Sequence, residues 1–490
     1  MKLLDGLAKR MGYTRAPVRR RSIDAGTISR LTQSWSGATG SIDRDIYAKL
    51  ETARNRSRDL SYNNDYMRKF LALCRTNIVG PNGFALQVRA NFPDGTADKT
   101  GNDAVEAAFW RWAKRGNCEV SGKFSLTQLQ QLITQAVARD GEALVRKVYR
   151  GLFGFQLQLV DIDRLNTSKN VDLKNGRIIK MGVELSDMGA PVAYHLKRRH
   201  PGDSLGFNLI SGDDERVPAE DIYHIGIFER PEQTRCLPWA VSAILRLEHL
   251  GGYEEAAVVA ARCGAAKMAY WTQGEGTSES FADSTDSTGQ LFTDFEPGQI
   301  GIAPNGAELK SVDWKYPHEQ YDVFVKACVR GIASGIGVAY SSLSNDLTEV
   351  NYSSIRAGVI DERDGWMTMQ GWQIESFNEP MFGDWLRMAL LSGQAKTATG
   401  GTITPDKFDK FNVPEWRGRR WQWVDPKNDI EAAVTSVNEG LRSRREIAAE
   451  QGRDLEAVFD DIATENAMAK EKGITLGVKP AKVNNGQQTA

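Results

Sequence analysis

The segment of this 490-residue chain whose spacing comes nearest to a phosphate-binding loop is GNCEVSGKF at residues 116–124. A phosphate loop has four residues between its two glycines, and a Ser or Thr after its Lys holds magnesium. Here five residues separate Gly116 from Gly122, and Phe124 occupies the position of the Ser or Thr. We therefore predict that this segment does not bind a nucleotide.

Two other segments contain residue types that bind metals. HEQYD at residues 318–322 begins like a zinc-binding helix, but Asp322 stands where the second His belongs, and no third ligand is evident. Asp161 and Asp163 alternate along a predicted strand and could hold a cation. Alternatively, they mark a strand end, with a turn-forming Asp and an ion pair to Arg164. We predict that the chain has no metal site and no cofactor.

The residues needed for nucleophilic catalysis do not come together in the sequence. No G-x-S-x-G segment is present, and none of the five His residues has an evident nucleophile as its partner. We predict that the protein is not an enzyme and has no catalytic residues.

The composition is that of a globular chain without a charge surplus. It is 41% hydrophobic and 26% charged, with 62 Lys and Arg against 63 Asp and Glu. A protein that holds nucleic acid tightly usually has a basic surplus. The five cysteines lack paired spacing, which predicts reduced, mostly buried thiols in a cytosolic protein. No segment approaches the roughly 18 apolar residues of a membrane-spanning helix, so we expect no membrane contact.

Hydrophobic periodicity predicts an α+β chain. After a flexible basic arm over residues 1–45, helices are expected up to about residue 76, with Asp59 or Ser61 as the cap of the second helix. A further helix should begin at the cap Ser125 and end at Gly141. Residues 142–227 are predicted to form strands, including a hairpin in VELSDMGAPVAYHLK.

Long helices follow the predicted strands. One should extend from Leu237 to Tyr270, interrupted at Gly251-Gly252, and a second from His318 to Ile336. Between the second helix and a third that opens near Tyr352, the chain is rich in Ser and Asn and almost free of charge. The C-terminal part is predicted to be helical and strongly charged.

Six phrases along the chain, in order, resemble the lambda-type portal proteins of tailed bacteriophages. These are RSRDLSYNNDYMRKFLALCRTNIVGPNGFALQ, DGEALVR, QLQLVDIDRL, MGVELSDMGAPVAYHL, GIGVAYSSLSNDLTEVNYSSIRAG and WQWVDPKNDIEAAVTSVNEGLRSRREIAAEQGRDLEAVFDDIATE. The resemblance extends from about Arg54 to Gly473. It implies a ring, typically of twelve subunits, at one capsid vertex of the virion, through which the terminase pumps double-stranded DNA in and from which the DNA later leaves.

The resemblance also implies a division of the chain into the parts of a portal subunit. It implies a β-rich wing, stem helices, a small α/β clip that meets the terminase, a tunnel loop at the narrowest point of the channel and a helical crown. By position these are the wing at 46–235 with its continuation at 352–425, stem helices at 236–270 and 318–337, the clip at 271–317, the tunnel loop at 338–351 and the crown with the tail at 426–490.

The tunnel loop is the candidate DNA-facing site. Its polar residues should offer phosphates only weak, exchangeable hydrogen bonds, because an ion pair with Lys or Arg would impede sliding. The alternative for Asp346 is that it caps the following helix. The predicted site residues are Ser341, Ser342, Ser344, Asn345, Asp346, Thr348 and Asn351.

The clip is the candidate surface for partner proteins. Between Trp271 and Leu309 there are seven acidic residues and no Lys or Arg, and acidic groups repeated around a ring would steer a basic partner surface toward it. The predicted terminase- and adaptor-facing residues are Glu275, Glu279, Asp283 and Asp286.

Further partners follow from the resemblance alone. They are the terminase large subunit, the major capsid and scaffolding proteins and the head–tail adaptor proteins, with assembly in the host cytoplasm. Two alternatives remain at this point: a head–tail adaptor, although adaptors are usually much shorter, and a capsid-associated hydrolase, which would need a catalytic site.

Overall fold

A computed structural model shows a chain that mixes helices and sheets, as predicted. The structure describes residues 40–203, 214–265, 269–273, 284–285, 291–292, 307–311, 320–348, 352–421 and 425–474. The predicted basic arm therefore lies outside the described residues up to position 39. Its predicted end at residue 45 is wrong, because a helix already begins at Ile42. Asp43 in this helix is buried and accepts hydrogen bonds from the amide and the hydroxyl of Thr234, both 2.8 Å long.

Helices dominate the first hundred described residues. They are α1 (Ile42–Tyr47), α2 (Leu50–Asn63), α3 (Asp65–Cys74), α4 (Lys99–Trp112) and α5 (Leu126–Asp140), with a π-helix at Arg75–Val79 and the strand β1 (Ala85–Val88). The cap of α3 is Asn64, which accepts a hydrogen bond from the Met67 amide, so the predicted caps Asp59 and Ser61 are wrong. They lie inside α2, which continues two residues past Ser61 before the chain turns.

The predicted ends of α5 are confirmed. Ser125 and Gln128 form a capping box at its start, in which each side chain accepts a hydrogen bond from the other residue's amide. Gly141 ends the helix with a φ of +95°, and a Cβ there would lie 2.5 Å from the carbonyl oxygen of Cys236. Only glycine satisfies both conditions, which allows the segment before the next long helix to pass close to this end of α5.

The strands that follow form two antiparallel sheets. One has the order β3 (Gln156–Val160), β2 (Glu142–Val148), β9 (Ile222–Gly226). The other runs in chain order through β4 (Val171–Asp172), β5 (Ile178–Lys180), β6 (Val183–Leu185), β7 (Pro191–Leu196) and β8 (Glu215–Pro218). The strands β6 and β7 are antiparallel neighbours, which confirms the predicted hairpin.

An aromatic cluster forms the centre of the main core. Phe109 of α4 lies 4.9 Å from Trp385 and 5.8 Å from Phe382, measured between ring centroids. Trp112 is fully buried and donates a 2.8 Å hydrogen bond to the Phe155 carbonyl, whereas Trp110 is exposed. The two tryptophans thus face opposite sides of α4, as expected for positions two residues apart in a helix.

The first long helix is shorter than predicted. It is α6 (Ile244–Ala265); the chain before it forms turns, and Tyr270 lies in the strand β10 (Ala269–Gln273). β10 pairs with β13 (Ala307–Ser311), which requires an extended backbone where the sequence pattern predicted a helix. Gly251 and Gly252 do not interrupt α6, because the helical hydrogen bonding continues through both of them.

The described pieces of the predicted clip are strands. Besides the β10–β13 pair, β11 (Ser284–Thr285) pairs with β12 (Leu291–Phe292).

The remaining elements follow in order. They are α7 (Tyr321–Ile336), α8 (Tyr340–Ser344), α9 (Tyr352–Gln373), a π-helix (Ile374–Asn378), α10 (Glu379–Leu391), α11 (Phe408–Phe411), β14 (Pro414–Arg417), α12 (Pro426–Asn438), α13 (Arg444–Glu450) and α14 (Leu455–Glu471).

Candidate functional site

The segment between α7 and α9 contains the predicted DNA-facing residues. The structure describes six of the seven, whereas Asn351 lies outside the described residues. The sequence predicted an irregular loop from residue 338 to residue 351, but residues 340–344 form the short helix α8, which ends at Asn345 with a φ of +56°. We call residues 338–348 the turn segment.

Asp346 organises the turn segment. Its Oδ1 atom accepts hydrogen bonds from the Thr348 amide (3.0 Å) and the Thr348 hydroxyl (2.6 Å), and its Oδ2 atom accepts one from the Tyr340 hydroxyl (2.9 Å). These hydrogen bonds, those from Thr348 first, hold the pKa of Asp346 well below its usual range. Asp346 therefore stays ionised and ties the end of the segment to its beginning, whereas the next helix begins only at Tyr352.

The serine hydroxyls of the turn segment make hydrogen bonds inside the subunit. Ser342 donates to Glu362 of α9 at 2.6 Å, and Ser344 donates to the Tyr340 carbonyl at 2.8 Å. This differs from the expectation that these hydroxyls are offered outward. The exposed side chains at this position are those of Asn345, Leu347 and Thr348.

The turn segment is fixed to the rest of the subunit at both ends. Leu343 is buried in the main core, and Lys69 of α3 donates a 2.9 Å hydrogen bond to the Asn345 side chain. The guanidinium of Arg330 lies 5.2 Å from the ring centre of Tyr340. Burial and the hydrogen bond to Asp346 raise the pKa of Tyr340, so its hydroxyl keeps the proton that it donates. The turn segment thus has a defined conformation.

Helices α6 and α7 lie against each other beside the turn segment. Ser242, just before α6, donates a 3.0 Å hydrogen bond to the Gly335 carbonyl, and a Cβ atom at Gly331 would collide with the guanidinium of Arg246. Farther along, Tyr253 stacks on Tyr321 with 5.8 Å between ring centroids. The sequence signal for this close approach is the pair Gly331 and Gly335, four residues apart on α7, and the contact was not predicted from it.

Both helices expose apolar side chains on the faces turned away from each other. The exposed fractions are 60% for Leu245 and 57% for Val258 on α6, and 68% for Val323 on α7. Apolar residues are thus distributed around α6 rather than gathered on one side. A helix of this kind is usually buried on several sides, so we expect another surface to cover α6 and α7.

The segment at residues 116–124 is closed to a phosphate by its own side chain. Glu119 accepts hydrogen bonds from the Ser121 amide (2.9 Å), the Ser121 hydroxyl (2.6 Å) and the Lys123 amide (3.3 Å). A phosphate loop would direct such amides at its ligand. Here the Glu119 carboxylate accepts from these amides instead, so they are not free to bind a phosphate.

Asp161 and Asp163 form ion pairs with arginine instead of presenting an open cation site. Arg58 of α2 contacts both carboxylates, and His200 Nε2 lies 3.5 Å from Asp163 and 3.8 Å from Asp161. The predicted ion pair to Arg164 is wrong, because the Arg164 Nε donates to the Lys197 carbonyl. In HEQYD, Asp322 is exposed and pairs with Lys326 at 2.8 Å, while His318 and Glu319 lie outside the described residues.

A buried ionic junction lies where α2, the β3–β2–β9 sheet and the segment before α6 meet. Glu142 accepts from Arg54 at 2.9 Å and from Arg235 at 2.8 Å, and all three side chains are at most 1% exposed. His224 Nε2 lies 2.8 Å from the other Glu142 oxygen. Burial alone would raise the pKa of Glu142, but Arg235, His224 and Arg54 outweigh burial and hold it well below its usual range.

Three remaining predictions concern the clip residues, the cysteines and membrane-spanning helices. The predicted clip residues Glu275, Glu279, Asp283 and Asp286 lie outside the described residues. Cys74, Cys118, Cys236 and Cys328 are free thiols, the first three of them buried. Among the helices of the described part, none is both long and apolar enough to cross a membrane.

Sequence comparison gives a consistent result along most of the chain. Residues 29–370 match the lambda family of phage portal proteins. The chain is 34% identical over 480 residues to the probable portal protein of Halomonas phage phiHAP-1, covering 96% of this chain and 91% of that protein. It is 22% identical over 477 residues to portal protein B of Escherichia phage lambda, covering 90% and 88% of the two chains.

Among solved structures, the chain is similar to one in the neck of a native gene transfer agent particle. The TM-score is 0.43 at 13% identity, and the match covers 86% of this chain and 98% of the other.

Proposed function

This chain belongs to the lambda family of phage portal proteins, and from that membership we propose that its copies form a ring around a channel for double-stranded viral DNA. Portal proteins are structural proteins, and the portal is where the genome enters and leaves the capsid. We propose a ring of twelve copies at one capsid vertex, assembled in the host cytoplasm. Within this ring, helices α6 and α7 form the stem and the turn segment faces the DNA.

The observation that carries the proposal is the pairing of exposed apolar helices with a turn segment that contains no Lys or Arg. Leu245, Val258 and Val323 are exposed in a single chain, and neighbouring copies placed head to tail would bury them, since heterologous contacts close into rings. The same helix pair leads directly into the turn segment. Apolar side chains on the outer faces of α6 and α7, with a turn segment of low charge at the end of α7, suit a subunit that lines a channel.

The charge pattern of the turn segment supports contact with sliding DNA. No Lys or Arg occurs between Gly331 and Ile355, so a ring of these segments would not pair firmly with phosphates. The ionised Asp346 is held within its own subunit by Thr348 and Tyr340. The exposed Asn345 accepts from Lys69 through its side-chain oxygen, and its NH2 group can offer phosphates a neutral hydrogen bond that exchanges easily as the DNA backbone passes.

The partner proteins belong to the proposal as well. The acidic segment between Trp271 and Leu309 supports docking of the terminase large subunit, and later of head–tail adaptors, through Glu275, Glu279, Asp283 and Asp286. Contacts with the major capsid and scaffolding proteins follow from the family alone.

A charge placed in the turn segment tests the channel assignment. We expect Asn345→Lys with Thr348→Lys to leave the ring intact in negative-stain images and to reduce the amount of DNA packaged, because each added ammonium would bind phosphates. Met188→Lys, at an exposed site on the β6–β7 turn, is the matched control and should package normally. Normal packaging by the double variant would contradict the assignment of the turn segment to the channel, and a chain that stays monomeric would contradict the ring.

A further inference from the structure

The three C-terminal helices α12, α13 and α14 contain almost no core of their own. Among their described side chains, α12 and α13 bury none, and Ala469 is the buried residue of α14. On α14, ten consecutive residues from Phe459 to Met468 are exposed. An isolated helix of about 12–15 residues is only marginally stable in water, so another surface must cover these helices for them to persist.

Two exposed apolar side chains of α14 lie on the same side of the helix, so a single partner surface could bury both of them. Phe459 is 49% exposed and Ile462 is 46% exposed, three residues apart and therefore on one side of the helix. Around them the helix is acidic: between Leu455 and Ala469 it has four acidic residues and no Lys or Arg. Asp460 and Asp461 form exposed ion pairs with Lys99 and Arg453 of the same chain, whereas no ion pair is seen for Glu456 or Glu465 among the described residues. This side of α14, which we call the α14 stripe, is an apolar strip with acidic flanks.

A groove of complementary character lies between α12 and α13 of the same chain. It has a volume of about 260 Å³, and its lining includes Ile430, Val434 and Val437 of α12 and Ile447 of α13. Arg444 lies at its edge and is exposed, and no ion pair to a carboxylate is seen for it among the described residues. The groove thus offers apolar contact with a positive charge beside it, which matches the α14 stripe in both respects.

We propose that the α14 stripe of one copy packs into the α12–α13 groove of the next copy, so that the C-terminal helices form a continuous belt around the ring. This inference rests on the proposed ring. A second copy is the occupant that the charges favour, because the groove and the stripe are complementary to each other and neither is complementary to itself. Such a contact is heterologous, so every copy gives one stripe and receives another. Helix-in-groove packing of this kind uses anchors three, four and seven residues apart. On α14 this spacing is met by Leu455, Phe459 and Ile462.

Disulfide trapping tests the contact in the full-length protein. We would combine one groove position, Ile430→Cys or Val434→Cys, with one stripe position, Phe459→Cys or Ile462→Cys, in four double variants. Mild oxidation of the assembled ring should convert the monomer band of at least one double variant into a ladder of covalent multimers. A single variant should give no ladder, whereas an oxidised mixture of groove-only and stripe-only chains should give covalent dimers and nothing larger. Met188→Cys with Phe459→Cys, which replaces the groove position by an exposed turn, is the control for random collision.

The possible outcomes separate the two proposals. Rings in negative-stain images without a ladder from any of the four double variants would overturn the belt and leave the ring standing. A disulfide confined to the monomer would also overturn the belt, because stripe and groove would then meet within one chain. A protein that forms no rings would overturn the proposed function and the belt together.

Discussion

The buried ionic junction and the turn segment both depend on a carboxylate that stays ionised, and they achieve this by opposite means. Glu142 is inaccessible and is held by the full charges of Arg54 and Arg235. Asp346 lies in a segment with exposed neighbours and is held mainly by neutral donors, the hydroxyl and amide of Thr348 and the hydroxyl of Tyr340. A carboxylate therefore holds several elements together through ion pairs in the junction, and holds a single turn together through neutral hydrogen bonds in the turn segment.

The two kinds of stabilisation suit the different surroundings of the two regions. A buried pair of charges is strongly interdependent, because removal of one partner leaves the other charged and without water. Such a cluster suits the junction, where a helix, a sheet and the segment leading to α6 must keep one arrangement. For a segment that faces DNA, as we propose for the turn segment, neutral hydrogen bonds are the better support, since an unpaired positive charge there would bind phosphates.

The largest expected effect is at the junction. Arg235→Met keeps the length of the side chain but leaves the buried Glu142 with one arginine fewer, and the loss of one partner of a buried ion pair typically costs about 3–5 kcal/mol. We expect a clear drop in the urea concentration at the midpoint of unfolding. The matched control is Arg146→Met, which breaks a partly exposed pair with Glu215 and should cost less than about 1 kcal/mol. Equal midpoints for the two variants would show that the buried ion pair stabilises the fold no more than the partly exposed pair does.

An intermediate effect is expected in the dependence of stability on pH. The pKa of Glu142 is lowered by folding. Between the two pKa values, Glu142 is therefore protonated in the unfolded chain and ionised in the folded chain. The stabilisation is fully present above the ordinary glutamate pKa of 4.5 and is lost as the pH falls through the lower pKa of the folded state. Urea midpoints should therefore decline steadily below about pH 4.5.

The slope of that decline separates the junction from the turn segment. Glu142→Gln should flatten it, even though the variant begins from a lower stability, because the group that takes up the proton is gone. Asp346→Asn is the comparison variant. It should change the slope less than Glu142→Gln does, since the turn segment is a small part of the cooperative structure. A decline that is equally steep with and without Glu142 would assign the acid sensitivity to other carboxylates, such as Asp163, whose pKa is also lowered.

The smallest expected effect is local. Asp346→Asn keeps the shape of the side chain but weakens the acceptor for the Thr348 amide and hydroxyl, so hydrogen exchange at residues 345–348 should become faster. The urea midpoint should not move measurably, because Leu343 and the Lys69 contact still hold the turn segment. Thr348→Val, which removes one of the donors, should have the same local effect. A global loss of stability in either variant would mean that the turn segment is as integral to the fold as the junction is.

The sequence by itself determined the features that depend on neighbours along the chain. The Ser125 cap, the Gly141 end of α5, the β6–β7 hairpin and the opposite faces of Trp110 and Trp112 follow from local hydrogen bonding and periodicity. The ordered set of phrases was enough to identify the portal family, which the comparison with known proteins confirms. Family membership survives small errors in the position of each element, because it depends on the order of many segments.

Only the tertiary structure decided which distant side chains meet. Arg54, Glu142 and Arg235 are separated by 88 and 93 positions, and nothing in the local pattern distinguishes them from surface charges. The same holds for Tyr270, where the pairing of β10 with β13 prevails over a helical pattern, and for Arg58, which takes Asp161 and Asp163 away from Arg164. A local sequence pattern records the preferences of one turn or one strand, whereas burial and charge pairing depend on the whole fold, and a buried carboxylate keeps its charge only where the fold brings arginines to it.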